Sequence, residues 1–374
     1  MATKGSPQVL SFFSGAGGLD LGVEQAGLEV VVGQELDERA CQTLETNNHP
    51  VVRGDICALH QTDPQLSIMR EHLKGDLFAV IGGPPCQSFS TAGKRKGTSD
   101  PRGTLIFEYL KAIQTLQPRF AILENVKGVL STFGTSGRPI INEITDEFAR
   151  MGYHSVWGLV DAVQFGAPQF RERLIVIASR DNEQVFVPFA THFQRHQSPA
   201  HRWQTLGSAI GDLPSDQHEF LQFSSRVLHY LRMVPEGGNW KSLPAEVAQE
   251  AMGGAWKSDG GKVGFYRRLK FSEPAPTLVT SPIQKATMLA HPTELRPLSV
   301  QEYARIQGFP DNWIFTGTLS EKYRQIGNAV PSVLGKAIGE MLLAVGAGKE
   351  TVETKRRRGT STHSLAESIL AKAA

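Results

Sequence analysis

Cysteine is scarce: the 374 residues hold three, Cys41, Cys57 and Cys86, at irregular spacing. That excludes a disulfide framework, and without a CxxC or His-rich pair there is no zinc ligand set, so no metal is expected. A reducing, cytoplasmic interior suits such a chain. Charge of one sign is missing too, since 39 Lys and Arg nearly balance 37 Asp and Glu. A basic footprint for nucleic acid must therefore be local. No apolar run approaches the roughly 20 residues of a membrane span. Met1 to Pro7 carry no apolar segment of a secretory signal. The expectation is a protein with no membrane partner. Internal repeats are missing as well. What remains is length, enough for a substantial core and for about two domains or one large elaborated one.

Along the chain, Val9 to Phe13 breaks into Ser14-Gly15-Ala16-Gly17-Gly18, a helical pattern follows to Gly27, and Glu29 to Gly33 is a second short strand. The alternation continues through Ala40 to Asn47, Val51-Val52 and Leu77 to Ile81. Leu105, Ile106, Tyr109, Leu110, Ile113 and Leu116 then mark one helical face, stopped by Pro118. Phe120 to Leu123 and Leu174 to Ala178 are further strands. Short strands alternating with helices imply an α/β fold, a Rossmann-like, mostly parallel sheet with helices on both faces. We assign residues 7–180 to it. From 181 to 295 periodicity weakens and His, Gln, Pro, Trp and Gly increase, the texture of a smaller irregular domain. Regularity returns over 296–345, where Ser299 and Glu302 have capping-box spacing. Residues 346–374, with Lys355-Arg356-Arg357-Arg358, are expected to be a flexible basic tail.

The glycine loop sits where such sheets bind nucleotide-type ligands, at the carboxyl end of the first strand. Glu35, 20 residues after Gly15, ends the second strand where a carboxylate takes ribose hydroxyls. The dinucleotide fingerprint GxGxxG nevertheless fails, because its third glycine would be residue 20 and that residue is Asp20. An acid there opposes a pyrophosphate and suits a phosphate-free nucleoside such as S-adenosylmethionine. A bare tight turn stays open as the alternative on this segment alone.

Gly82-Gly83-Pro84-Pro85-Cys86-Gln87-Ser88-Phe89-Ser90 follows another strand of the same sheet. Cys86 is either buried filler, the commoner fate of a lone cysteine, or a nucleophile held out of regular structure by two prolines. The residues leave both open. Lys94, Arg95 and Arg102 make the next loop basic, fit either for phosphate contacts and closure over a bound strand or for plain solvation. Glu124 ends a further strand, at the same edge.

Taken in order, the Phe-Ser-Gly-Ala-Gly-Gly loop, Glu35, Gly54-Asp55-Ile56, the Pro84-Pro85-Cys86 stretch and Glu124-Asn125-Val126 resemble the motifs of the DNA (cytosine-5) methyltransferases. Gln169-Phe170-Arg171-Glu172-Arg173, Arg296-Pro297-Leu298-Ser299 and Gln325 to Pro331 complete the series. The resemblance spans residues from about 9 to 340 and implies a class I S-adenosylmethionine-dependent fold with a target-recognition domain. It implies that the Cys86 thiolate adds to carbon 6 of cytosine, making carbon 5 nucleophilic. Glu124 would protonate N3 as a neutral acid, a form favoured by burial. Arg173 would hold O2, and Arg171, in the same catalytic set, would steady the loop or a phosphate. No side chain stands out as the base for the carbon 5 proton, and water can serve. The target base must be flipped out of the duplex.

For S-adenosylmethionine the resemblance implies adenine packing on Phe13, ribose on Glu35, an adenine edge contact from Asp55, and closure of the pocket by Asn328 and Val330. Gly15 and Gly17 would let the backbone approach the methionine part, with Ser14, Gly18, Leu19, Ile56 and Pro85 in the same set. Gln87, Ser90, Lys94, Arg95 and Arg102 are the candidate DNA contacts. Base specificity is expected from residues 181–295, which include Arg202-Trp203, Gly237 to Trp240, Tyr266-Arg267-Arg268 and Pro276 to Thr280. The expected partner is double-stranded DNA, with a cognate restriction endonuclease encoded nearby if the enzyme is not solitary. A monomer of compact bacterial or phage type is expected. A tRNA cytosine-5 methyltransferase and a catalytically dead DNA-binding regulator are the rivals; the first is disfavoured by the missing Cys-Phe-Thr signature.

Overall fold

The computed structural model describes residues 5–85, 104–134, 137–195, 198–214, 218–257 and 263–348. The chain forms two compact units, one comprising Met1–Asp161, Glu172–Phe189 and Leu334–Ala374, the other Ala162–Arg171 and Ala190–Val333. The Gln-x-Arg-x-Arg segment is thus divided, with Arg171 in the second unit and Arg173 in the first.

The first unit carries the alternation read from the sequence: β1 (Gln8–Phe12), α1 (Gly18–Gln25), β2 (Glu29–Glu35), α2 (Glu38–Thr46), β3 (Val51–Arg53), α3 (Ile56–Thr62), α4 (Ser67–Arg70), β4 (Leu77–Gly82), α5 (Thr104–Leu116), β5 (Phe120–Val126), α6 (Ile140–Arg150), β6 (His154–Asp161) and β7 (Glu172–Ser179). The sheet order is β3-β2-β1-β4-β5-β7-β6. Pairings from β3 through β5 are parallel, and β7 runs antiparallel to both β5 and β6. β1 is buried along its whole length, as expected of a central strand with an unbroken apolar run. The chain leaves β1 toward β2 on one side and returns through β4 on the other, so the order reverses between β1 and β4. In such sheets that switch point, at the carboxyl ends, is where ligands bind.

Local chemistry sets these boundaries. Gly17 takes φ 87°, a left-handed conformation that glycine adopts freely, and starts α1. The Asp37 and Asp55 carboxylates cap α2 and α3 by accepting from backbone amides. α5 has the span its apolar face predicts, with Ile106, Tyr109, Leu110, Ile113 and Leu116 buried. They join Leu10, Phe12, Val80 and Leu123 in one core. β6 was not legible: its residues are mostly half-buried without alternation.

The second unit is irregular. Among the described residues it has isolated bridges such as Gln169 with Ala275 and Arg268 with Ala290, but no longer strands. Its helices are α7 (Leu206–Ile210), α8 (Ser225–Leu231), α9 (Ala245–Met252), α10 (Val300–Gln307) and α11 (Leu319–Asn328). α12 (Ser332–Gly346) returns to the first unit. The capping box foreseen at Ser299 forms: its hydroxyl accepts from Glu302 N and the Glu302 carboxylate accepts from Ser299 N at 2.6 Å. Arg296 donates to the same carboxylate at 2.8 and 2.9 Å.

Arg268, a candidate for reading bases, is instead an internal strut. It is buried, and its guanidinium donates to the carbonyls of Val234, Leu231, His291 and Glu294 at 2.9 to 3.1 Å. Its neighbour Arg267 donates to Met288 O.

Candidate active site

The loops that follow the five parallel strands β1 to β5 leave the sheet of the first unit at its carboxyl edge. Phe12 pairs with Gly82 across β1 and β4, so the glycine loop and Gly83-Pro84-Pro85 leave adjacent strands at one level. Gly82 must lack a side chain, since a Cβ there would come within 2.7 Å of the Tyr109 ring. One built on Gly83 would lie 3.0 Å from Glu124 Oε2. The Asn125 side chain donates to Pro84 O at 3.1 Å. The backbone just ahead of residue 86 is thus pinned beside the Glu124 carboxylate.

β7 brings the second charged group. Because it runs antiparallel to β5, its amino end lies at the carboxyl end of β5, with Arg173 paired to Val126. Arg173 Nε donates to Glu124 Oε1 at 2.8 Å, and both side chains are about nine-tenths buried. A buried, directly bonded pair of this kind is strongly oriented. It joins Glu124, which the strand pattern placed at this edge, to Arg173, which only the family resemblance placed there.

The glycine loop is held from β2. Glu35 Oε2 accepts from Gly15 N at 2.7 Å, while Oε1 accepts from Leu36 N and Asp37 N. Burial pushes the Glu35 carboxyl above its ordinary range, with these amides opposing. Expected as a ribose acceptor, Glu35 here also fixes the loop; three bonds leave a carboxylate about one acceptor position. Gln34, which the sequence reading passed over, is buried and links two motifs: its Oε1 accepts from Phe13 N at 3.4 Å and its Nε2 donates to Gly54 O at 2.6 Å. A polar residue inside an apolar strand was the available signal. Phe13 has φ 56°, unusual for a large side chain, and packs edge-on to Tyr109. Leu36, also passed over, leaves an apolar side chain 65% exposed next to Glu35.

The other candidates fall out as follows. Ser14 Oγ donates to Ser11 Oγ at 2.8 Å. Gly18, Leu19 and Ile56 are buried, and Pro85 is exposed. Asp55 accepts from Cys57 N as the α3 cap. Asn328 is exposed at the end of α11 and Val330 is buried. In the second unit, Arg171 is buried and donates to Leu278 O, Gly327 O and Ala329 O at 2.8 to 2.9 Å. Of its two expected tasks, steadying the loop or a phosphate, these bonds are of the first kind. Cys86, Gln87, Ser90, Lys94, Arg95 and Arg102 lie outside the described residues, as does the tail from 349.

These segments can be tested against S-adenosylmethionine. Cβ atoms built on Gly15 and Gly54 meet nothing within 4 Å, so both face open space. The charged side chains at the end of β2 and at the start of α3 are Glu35, Asp37 and Asp55, and Asp20 is buried in the first turn of α1. Arg53 is turned to Glu38 and Glu45 of α2. An acidic rim repels phosphates and suits a nucleoside bearing hydroxyls and positive charge, so the residues fit that cofactor.

The family model for C-5 cytosine-specific DNA methylases matches residues 8–344. The chain is 38% identical over 340 residues to the Type II methyltransferase M.Sau96I of Staphylococcus aureus, covering 90% of this chain and 75% of that protein. It is 40% identical over 346 residues to the Type II methyltransferase M.Eco47II of Escherichia coli, covering 90% and 78%. Among solved structures, a prophage-encoded E. coli protein superposes with TM-score 0.66 at 24% identity, over 91% of this chain and all of the other. Spodoptera frugiperda DNMT2 gives 0.56 at 18% identity, over 90% and 100%, which bears on the fold alone. With its switch-point loops and its Glu124–Arg173 pair on a matching sheet, the chain belongs to the C-5 cytosine-specific DNA methylase family and is a DNA (cytosine-5) methyltransferase.

Proposed function

We propose that the enzyme methylates a flipped-out cytosine in a specific double-stranded DNA site through a covalent bond to Cys86, using S-adenosylmethionine. The carrying observation is the Glu124–Arg173 pair at 2.8 Å beside Gly83, three residues ahead of Cys86 on a backbone held by Asn125. Attack by the Cys86 thiolate on carbon 6 forms the C–S bond and shifts the ring π electrons toward N3, where Glu124, which takes up a proton from solvent when parted from Arg173, delivers it. That delivery requires Arg173 to release Glu124, and turning its guanidinium to the cytosine O2 does so while keeping the donor satisfied. Bound S-adenosylmethionine supplies an electrophilic methyl group, which carbon 5 accepts. Return of the N3 proton to the Glu124 carboxylate, with loss of the carbon 5 proton to water, then expels Cys86 as thiolate and restores the neutral aromatic ring.

Glu35, Gln34 and the glycine loop are read as the cofactor cradle, with Asp55 at its rim. Arg171 holds the backbone at Gly327 and Ala329 on either side of Asn328. A base in a duplex is out of reach of any such site, so flipping is part of the reading. The Type II names of the relatives favour a restriction-modification partnership, with a cognate endonuclease encoded nearby.

Duplex DNA carrying 5-fluorocytosine at the target tests the covalent step, because fluorine cannot leave as a cation. Trapping with the wild type and none with Cys86→Ser supports it. A trapped complex that persists in Cys86→Ser removes Cys86 from the role. Bisulfite sequencing of DNA from expressing cells identifies the target.

A further inference from the structure

The departure from the dinucleotide fingerprint has a defined structure. Asp20 is completely enclosed, in the first turn of α1. Its Oδ1 accepts from Ser11 Oγ at 2.6 Å, and Ser11 Oγ accepts from Ser14 Oγ at 2.8 Å. A hydroxyl chain therefore runs from the glycine loop down to a buried carboxyl. Gly33 makes room for it, since any Cβ there would collide with Ser14 Oγ. Among the described residues no lysine, arginine or histidine pairs with Asp20; its influences are Ser11, Ser14 and the like charge of Glu35.

A buried carboxylate without a counter-cation is costly. Burial lifts the Asp20 carboxyl to about 6, so it is still mostly ionised at neutral pH. Helix amino termini ordinarily present partial positive charge to a bound anion. In α1 that charge faces the protein's own acid, and the loop above stands in a field that is negative on balance.

We propose that Asp20 is a specificity-determining residue of the cofactor site, whose buried negative charge, joined to the glycine loop through Ser11 and Ser14, favours a cationic adenosyl ligand over its neutral thioether product. This rests on the cofactor reading above and goes further, since it assigns a charge preference to a residue expected to touch no ligand. Methyl transfer turns a sulfonium into an uncharged thioether, so the same field that favours the substrate form loosens the spent one.

The test is calorimetric titration of the full chain and of Asp20→Asn with S-adenosylmethionine, S-adenosylhomocysteine and sinefungin, whose amine carries the charge without a transferable methyl. The expected result is that Asp20→Asn shifts the ratio of cationic to neutral affinity toward the thioether by about fivefold, with sinefungin following S-adenosylmethionine. Asp20→Ser, also neutral, must shift the ratio the same way, which keeps the test valid if Asp20→Asn folds poorly. Equal loss for all three ligands would mean that Asp20 only shapes the loop, and would overturn the proposal. Should none of the three bind the wild type, the cofactor reading itself fails and this proposal with it.

Discussion

Arg173 Nε donates to Glu124 Oε1 at 2.8 Å across the antiparallel β5–β7 pair. Each side chain occupies the other's strongest bonding position, so each orients the other. Removing either member leaves a buried charge alone, and the two losses should differ in kind. Arg173→Ala should lower kcat by about 10²–10³, the usual effect of losing an oriented donor to developing charge. Glu124→Gln keeps the shape and the acceptor but cannot deliver a proton, and should lose about 10²–10⁴. Single-turnover methylation separates these effects from DNA binding. A double variant that loses no more than the worse single one is expected of groups acting as a unit, and full additivity would count against the pair.

Arg171 is expected to matter through stability. Its guanidinium holds the carbonyls of Leu278, Gly327 and Ala329 in a fully buried place. Arg171→Met strands three acceptors at once and should destabilise by more than about 4 kcal/mol. Urea denaturation of purified protein measures it. An unchanged midpoint together with lost activity would return Arg171 to the catalytic set.

The first unit was legible because its strands are buried apolar runs punctuated by glycine, and because α5 repeats one apolar face from Leu105 to Leu116. β6 was not, since this edge strand, with half-exposed Val156, Trp157 and Leu159, shows no alternation and its short apolar stretch is interrupted by Gly158. The Glu124–Arg173 contact depends on β7 running against β5, and strand direction leaves no mark in local sequence. Gln34 and Arg268 show the other limit. Gln34 stands out only as a polar residue in an apolar strand and Arg268 only as a cation in the irregular region, and neither shows its role until the carbonyls and amides it satisfies are known. Residue type announces chemistry when the group must be offered to a ligand, and conceals it when the partner is backbone.

Arg268 supplies a prediction about specificity. With its guanidinium on five backbone carbonyls, Arg268→Gln should lower the second unit's stability by several kcal/mol, about 3 or more. Whatever activity survives should still methylate the wild-type site. Bisulfite sequencing combined with thermal denaturation checks both parts. Relaxed target choice at undiminished stability would mean that the side chain reads DNA after all.

Asp20 supplies the pH dependence. Its carboxyl is raised by burial from 3.8 to about 6, so between those values the folded protein holds a proton that the unfolded chain releases. Stability from this group is therefore greatest near pH 4 and is lost as pH rises through about 6, by up to roughly 3 kcal/mol for a shift of about two units. Glu24, one helical turn on and raised to about 7 by burial and by Asp20, pushes the same way. Asp20→Asn keeps the acceptor for Ser11 and removes the charge. It should be more stable than the wild type at pH 8, with the advantage shrinking toward zero at pH 4.5. Carboxylates away from Asp20 titrate in both proteins and largely cancel in the difference, so paired urea curves at the two pH values report Asp20 together with its effect on Glu24, which has the same sign. A gain at pH 8 alongside the altered ligand preference would show a charge retained for cofactor choice against stability. Loss of stability at pH 8 would mean that the ionised carboxylate helps hold α1, and the charge would need no functional explanation.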